Sequence, residues 1–257
     1  MQPTLDLLES LARQAGEILR KGQEQGFDVA FKGEIDLVTE IDHLSEAFLL
    51  GEIGRLFPSH HVISEEVGEV QGDCDHLWLV DPIDGTVNYA HGIPLFTVSI
   101  AYQENGQVRL GVVYEPMRDE CFSAERGKGA WLNGRQIKVS AQTNLEQSLL
   151  VTGFPYDIRT NPQNNLDHYT RFSLRSQAVR RLGSAALDLC YVAAGRCDGF
   201  WEIRIKAYDI AAGGLIAEEA GATVTNIHGS VNYLADPVSI LAAPPEVHAQ
   251  MLALLGA

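Results

Sequence analysis

Two aspartates three residues apart, Asp81 and Asp84, end an apolar run and are followed at once by glycine and threonine in Trp78-Leu79-Val80-Asp81-Pro82-Ile83-Asp84-Gly85-Thr86. A pair of carboxylates beside a flexible residue and a hydroxyl suits a divalent cation and a phosphate. Further acids stand where strands or helices should begin or end: Asp36 and Asp42, Glu65 and Glu66, and Asp209. Each has an ordinary explanation by itself, as a helix cap, a first-turn acid or an exposed loop residue. Gathered at one rim they do not. Two carboxylates ~4 Å apart at an effective dielectric near 20 repel by about 4 kcal/mol. Several held together therefore require a counter-charge. Hard cations with oxygen ligands supply it, and Mg²⁺ is the usual one beside a phosphate. No His/Cys ligand set is present, which argues against zinc.

Three readings of the aspartate pair compete. An EF-hand loop needs a bidentate glutamate eleven residues after Asp81, and that position is Gly92. A haloacid-dehalogenase-like phosphatase needs Asp-x-Asp, but two residues, Pro82 and Ile83, intervene. The third reading is a strand, a loop and a helix starting at Gly85 and Thr86, whose free amides receive an anion. It is the one that survives.

The elements that must position these groups follow from periodicity. Leu5, Leu8, Leu11, Ala12, Ala15, Ile18 and Leu19 predict an amphipathic helix ending near Gly22. A second helix is expected from about Asp42 to Arg55, with Leu44, Ala47, Phe48 and Gly51 inward. Strands are expected at Val62–Ser64, Leu77–Val80, Phe96–Tyr102 and Val108–Tyr114. Pro82 should end the second of these. Glu104-Asn105-Gly106 marks a hairpin turn. Short strands continue to about Val139. From Glu146 strands at 149–152, 177–181, 200–203, 223–225 and 238–242 alternate with helices at 184–194, 208–220 and from Pro245. The polar loop from Pro155 to Leu166 is the candidate boundary or lid. The expectation is layered α and β, with a mixed sheet in each half: an N-terminal α+β part (1–145) and a C-terminal α/β part (146–257).

The net charge of −15 argues against a nucleic-acid-binding surface, which needs a basic face. Arg171, Arg175, Arg180 and Arg181 form only a loose group, read as a solvated or subunit-contacting face. Cys74, Cys121, Cys190 and Cys197 show no paired spacing and read as reduced thiols. No signal peptide is evident, and no apolar run approaches the ~20 residues that cross a bilayer. A soluble cytoplasmic protein without membrane or nucleic-acid partner is expected.

The ordered set Asp-Leu-Val-Thr-x-x-Asp, Ile-Ser-Glu-Glu, Trp-x-Val-Asp-Pro-Ile-Asp-Gly-Thr-x-Asn-Tyr and Tyr-Asp-Ile-Ala-Ala-Gly resembles the inositol monophosphatase family over essentially the whole chain. The resemblance implies an α/β/α/β sandwich of the inositol monophosphatase/fructose-1,6-bisphosphatase type, usually homodimeric. It implies Mg²⁺-dependent hydrolysis of phosphate monoesters, inhibited by lithium, with two or three metals per site. By the same resemblance Glu65, Asp81 and the Ile83 carbonyl would hold one metal. Asp81, Asp84 and Asp209 would hold a second, and Glu65 would share a third. Thr86 and Asp42 would orient the attacking water, with Glu65 beside them. The amides of Gly85 and Thr86 would cradle phosphate. Gly183, Ser184, Ala185, Glu202 and Asp209 would touch the rest of a small phosphorylated polyol or sugar. Lys32 matches a basic position near the site. Inositol 1-phosphate is the expected substrate, with fructose 1,6-bisphosphate, histidinol phosphate and 3′-phosphoadenosine 5′-phosphate as alternatives and a metal-binding scaffold as the non-enzymatic one. For a bisphosphate, Arg204 and Lys206 would provide the extra basic pocket. Tyr208, where relatives often carry Trp, and Ala207, where many carry Pro, depart from the common pattern.

Overall fold

The computed structural model describes residues 2–31 and 37–256, so Lys32 and Asp36 lie outside the described residues. Helix α1 (Leu5–Gln25) buries Leu8, Leu11, Ala12, Ala15 and Leu19, and Thr4 caps it by accepting from the Leu7 amide. It runs past Gly22 to a break at Gly26. Strands β1 (Val29–Phe31) and β2 (Leu37–Thr39) form an antiparallel pair.

Helix α2 (Glu40–Leu56) lies where expected, but its buried face differs. Ile41, Asp42, Ser45, Glu46, Leu49 and Ile53 point inward, while Leu44 is exposed. A polar stripe at helical spacing, Asp42-Ser45-Glu46, takes the interior position because it has partners there. The apolar alternative, Leu44-Ala47-Phe48-Gly51, is the more solvent-facing one.

The larger sheet comprises β3 (His60–Ser64), β4 (Gly68–Val70), β5 (Asp73–Asp84), β6 (Thr97–Glu104), β7 (Gln107–Glu115), β8 (Glu120–Glu125), β9 (Ala130–Leu132) and β10 (Arg135–Ile137). Their order is β10-β9-β8-β7-β6-β5-β3-β4, with β3 and β5 parallel and the other neighbours antiparallel. Asn105 and Gly106, both with positive φ, close the β6–β7 hairpin. Pro82 does not end β5. The ladder to β6 shifts register between Asp81 and Asp84 and resumes with Asp84 opposite Thr97. A bulge absorbs the residue that cannot donate, so both aspartates stay on the strand. A short helix, α3 (Thr86–Ala90), follows at once.

The smaller sheet holds β11 (Leu149–Thr152), β12 (Ala178–Arg180), β13 (Gly199–Ile203), β14 (Thr223–Thr225) and β15 (Ser239–Ala243) in the order β12-β11-β13-β15-β14. Helices α5 (Ala185–Ala193) and α6 (Ala207–Glu219) pack between the two sheets in one continuous core, with Leu79, Phe122, Phe200 and Ile210 among its members. Helices α1 and α2 cover the outer face of the larger sheet around Trp78, Val80 and Ile100. Helices α4 (Leu166–Ser173) and α7 (Pro245–Leu255) cover the smaller one around Trp201 and Leu241. The layered α/β arrangement thus has a further outer layer beyond α/β/α/β.

Helix α4 has one buried side chain, Phe172, which leaves almost no periodic signal. The loop before it is pinned rather than loose. Asn165 is buried, donates from Nδ2 to Thr152 Oγ1 (3.0 Å) and the Gly153 carbonyl (2.7 Å), and accepts from Trp201 Nε1 (2.7 Å). No helix of the described residues is long and apolar enough to cross a membrane.

Candidate active site

Several element ends meet at one cavity of about 410 Å³. Its acidic side is Glu65 after β3, Asp81 and Asp84 on β5, and Asp209 in the first turn of α6. Glu202 on β13 and Asp188 on α5 line it as well. Of the acids predicted from separate stretches of sequence, Glu65, Asp81, Asp84 and Asp209 meet at the cavity, Asp42 stands behind Thr86, Glu66 is not among the lining residues, and Asp36 lies outside the described residues.

Local bonding explains how each is held. Asp81 Oδ1 accepts from the Ile83 amide (3.0 Å) across the bulge. Asp84 accepts from Ser184 Oγ (2.6 Å), from the Ala186 amide (2.7 Å) and from the Ala185 amide (3.2 Å). Asp84 therefore ties β5 to the start of α5, where the Ser184 hydroxyl also accepts from the Leu187 amide (3.3 Å). Asp209 accepts from the Lys206 amide (3.0 Å), closing the turn that begins α6. Asp42, fully buried, takes the Thr39 amide (2.8 Å) and hydroxyl (2.6 Å) on Oδ2 and faces Thr86 Oγ1 (3.2 Å) with Oδ1. Thr86 Oγ1 is also 3.0 Å from the Ile83 carbonyl, so one proton serves two acceptors.

Gly85 stands with φ 99°, and a Cβ there would press on the Leu95 and Gly183 carbonyls at 3.0 and 3.1 Å. Only glycine lets β5 turn into α3 this tightly. α3 has only five residues, so its aligned peptide dipoles sum to little and an anion there would rely on the free amides themselves.

The electrostatics are those of crowded acids. Burial pushes the Asp81 carboxyl well above the usual carboxylate range, and Glu65, Asp84, Asp209 and Asp42 push the same way. Asp209 is raised by burial and then by Asp84 and Glu65. Burial also lifts Asp84 to about 6, although the Ser184 hydroxyl and the α5 amides oppose it. Glu202 is lifted to about 8 by burial and by Asp84, with Arg181 opposing. Asp188 is raised by burial, Glu202 and Asp84, and its buried Oδ1 has no hydrogen-bond partner. These groups resist ionising together until a cation joins them.

Oxygen donors only, several of them anionic, fit a hard divalent cation such as Mg²⁺. Among the described residues no three His, Cys, Asp or Glu side chains stand close enough together to hold a metal ion as they are placed. The carboxylates line an open cavity, and Asp84 meanwhile holds the α5 amides.

Several lining residues escaped the sequence reading. Asn88 Nδ2 bridges the Leu95 and Leu182 carbonyls (2.7 Å each), joining the two halves beside Gly85. Gly153 lies against Glu202, and a Cβ there would overlap its carboxyl. Asp188 repeats at i+4 from Ser184 on α5, a spacing that could have drawn attention to it. Phe154 and Tyr156 add an aromatic edge, and Arg181 lies over the Phe154 ring at 5.5 Å. Arg204 does not supply a free basic pocket, because it is paired with Asp157 at 2.6 Å. Lys206 does line the cavity. The Ala185 amide is engaged by Asp84 rather than presented freely.

Fold and cavity together define a layered α/β protein with an acid-rich pocket at its strand ends. The Inositol monophosphatase family profile matches residues 1–256, and this chain belongs to that family. A protein named Nus factor SuhB from Pseudomonas aeruginosa is 43% identical over 243 residues, 91% of this chain and 89% of that protein. An inositol-1-monophosphatase from Mesorhizobium japonicum is 41% identical over 251 residues, 96% of this chain and 94% of that protein. The solved inositol monophosphatase from Anabaena (Nostoc) superposes with a TM-score of 0.89 at 42% identity, covering 98% of this chain and 94% of that one.

Proposed function

We propose that this protein is a Mg²⁺-dependent phosphate monoester hydrolase whose first substrate is inositol 1-phosphate. The observation that carries the reading is the convergence of Glu65, Asp81, Asp84 and Asp209 on one cavity beside the buried Thr86–Asp42 pair. In this reading Glu65, Asp81 and the Ile83 carbonyl hold one cation, and Asp81, Asp84 and Asp209 another. Such ions acidify a bound water and neutralise charge on the phosphoryl and leaving oxygens.

The remaining roles fall to the chain itself. Thr86, sharing its proton with Asp42 and the Ile83 carbonyl, offers oxygen lone pairs that orient an incoming water. Glu65 lines the same cavity. The Gly85–Thr86 backbone can approach a phosphate closely because Gly85 has no side chain. Glu202, packed against Gly153 and with its carboxyl raised to about 8 by burial and Asp84, can accept from a polyol hydroxyl, or donate to one when protonated. Gly183, Ser184 and Ala185 complete that wall. Phosphoryl transfer passes through a loose transition state that needs positioning and charge neutralisation more than a covalent partner. We therefore expect direct attack by water, with no phosphoenzyme. Family membership also supports a homodimer, lithium inhibition and a cytoplasmic location.

Phosphate release from inositol 1-phosphate, with fructose 1,6-bisphosphate, histidinol phosphate and 3′-phosphoadenosine 5′-phosphate run alongside, tests the proposal. Release should require Mg²⁺ and vanish in Asp84→Asn. Silence across the whole panel, or a stoichiometric phospho-aspartate after acid quench, would overturn it.

The printed name of the 41–43% identical relatives, Nus factor, supports a second reading in which the protein also acts through a macromolecular partner. With a net charge of −15, a basic protein surface is a better match than nucleic acid. Loss of that association on charge reversal of the partner, with hydrolysis intact, would separate the two roles.

A further inference from the structure

Helix α2 sends three consecutive inward polar groups into the two loops that carry the acids. Asp42 holds Thr86, Ser45 Oγ donates to the Pro82 carbonyl (3.1 Å) in the bulge, and Glu46 holds the turn after β3. Glu46 is 1% exposed, and a single oxygen, Oε1, accepts from the Ser64 hydroxyl, the Glu66 amide (3.0 Å) and the Val67 amide (3.0 Å). Glu65 lies between Ser64 and Glu66. Both of its chain neighbours are therefore fastened to the same atom, which fixes the stretch of backbone that carries the Glu65 side chain to the cavity. Ser45, one residue earlier on the same helix, fastens the segment between Asp81 and Asp84. The spacing of Glu65 from Asp81 is thereby set by one rigid helix.

We infer that Glu46 is a positioning residue for Glu65, and that through Glu65 it sets the affinity of the acidic cavity for a divalent cation. The inference rests on the metal-dependent reading proposed above. Oriented partners of metal ligands commonly change metal affinity by about 10- to 100-fold when removed. Three donors left without their acceptor would also let the turn re-form in other ways.

The test is Mg²⁺ binding by isothermal titration calorimetry on the full chain, with no substrate present. Glu46→Ala should weaken binding by about 10- to 100-fold. Glu46→Gln keeps the shape and one acceptor oxygen but gives up charge-assisted bonds, so a loss of about three- to tenfold is expected. Leu49→Ala, one turn further along α2 and fully buried, serves as the control. It should lower thermal stability yet leave Mg²⁺ affinity within about twofold, as expected for a purely packing residue. Hydrogen exchange at the Glu66 and Val67 amides should quicken in both Glu46 variants and not in Leu49→Ala.

If Glu46→Ala does not fold, the Gln variant decides the matter. A folded Glu46 variant that binds Mg²⁺ as tightly as wild type would refute the inference, as would an equal loss in Leu49→Ala. Absence of Mg²⁺ binding in the wild type would instead refute the metal-dependent reading itself, and the two failures are thus distinguishable.

Discussion

Replacing Asp84 by asparagine should separate stability from turnover. In the metal-free protein this carboxyl has an ordinary value of 3.8 lifted to about 6, chiefly by burial. The folded state therefore holds its proton more tightly than the unfolded chain. The stability contributed is full below the unfolded value and is lost as pH rises through about 6. Ionising the group in the folded protein above that pH costs about 3 kcal/mol. Asparagine removes this penalty. It still accepts from Ser184 and the Ala186 amide, but its NH₂ faces the Ala185 amide that Asp84 Oδ1 accepted from, at a cost of about 1 kcal/mol. The net gain is about 2 kcal/mol near pH 8, or about 4–8 °C in Tm for a chain of this size. The assay is thermal unfolding in EDTA and again in saturating Mg²⁺. Without metal the variant should be the more stable protein. With metal the order should invert, since ligand binding stabilises only a fold that binds it. A variant less stable than wild type in EDTA above pH 6 would refute the electrostatic reasoning.

Three further outcomes follow from the geometry. Thr86→Ala should lower kcat by about 10²–10⁴-fold while leaving Mg²⁺ binding in calorimetry close to wild type, because the hydroxyl acts on the water rather than on the cation. Gly153→Ala should displace the Glu202 carboxyl and raise KM for inositol 1-phosphate by about three- to tenfold with a smaller change in kcat, measured by steady-state kinetics. Burial lowers the buried His248 below its ordinary 6.5, so it favours the neutral form in the fold. Its contribution is complete above 6.5 and is lost as pH falls below that, and His248→Gln should flatten the acid limb of a Tm-versus-pH curve.

Sequence alone placed most strands and helices, because regular apolar periodicity survives wherever an element buries one face. It also picked out Glu65, Asp81, Asp84 and Asp209, since acids at the ends of apolar runs have few structural reasons to recur. The misplaced features share a cause. The inward face of α2 was misjudged because polar groups with buried partners outcompete apolar ones for the interior, and partners are not visible in a one-dimensional pattern. Pro82 looked like a strand end, but a bulge lets a non-donor sit within a ladder. Helix α4 was invisible because one buried phenylalanine makes no period.

What the residues determined by themselves is therefore the chemical inventory: oxygen ligands, a hydroxyl beside an acid, and a glycine where backbone must come close. Which of them face one another was decided only by tertiary packing. The meeting of β3, β5, β13, α5 and α6 at one cavity depends on sheet order and on helices packed between the sheets. The support that Glu46 and Ser45 give to the acids, and the shelter Gly153 gives to Glu202, are contacts between segments far apart in the chain. Local propensity carries no information about such contacts, because their energy exists only once the layers have closed.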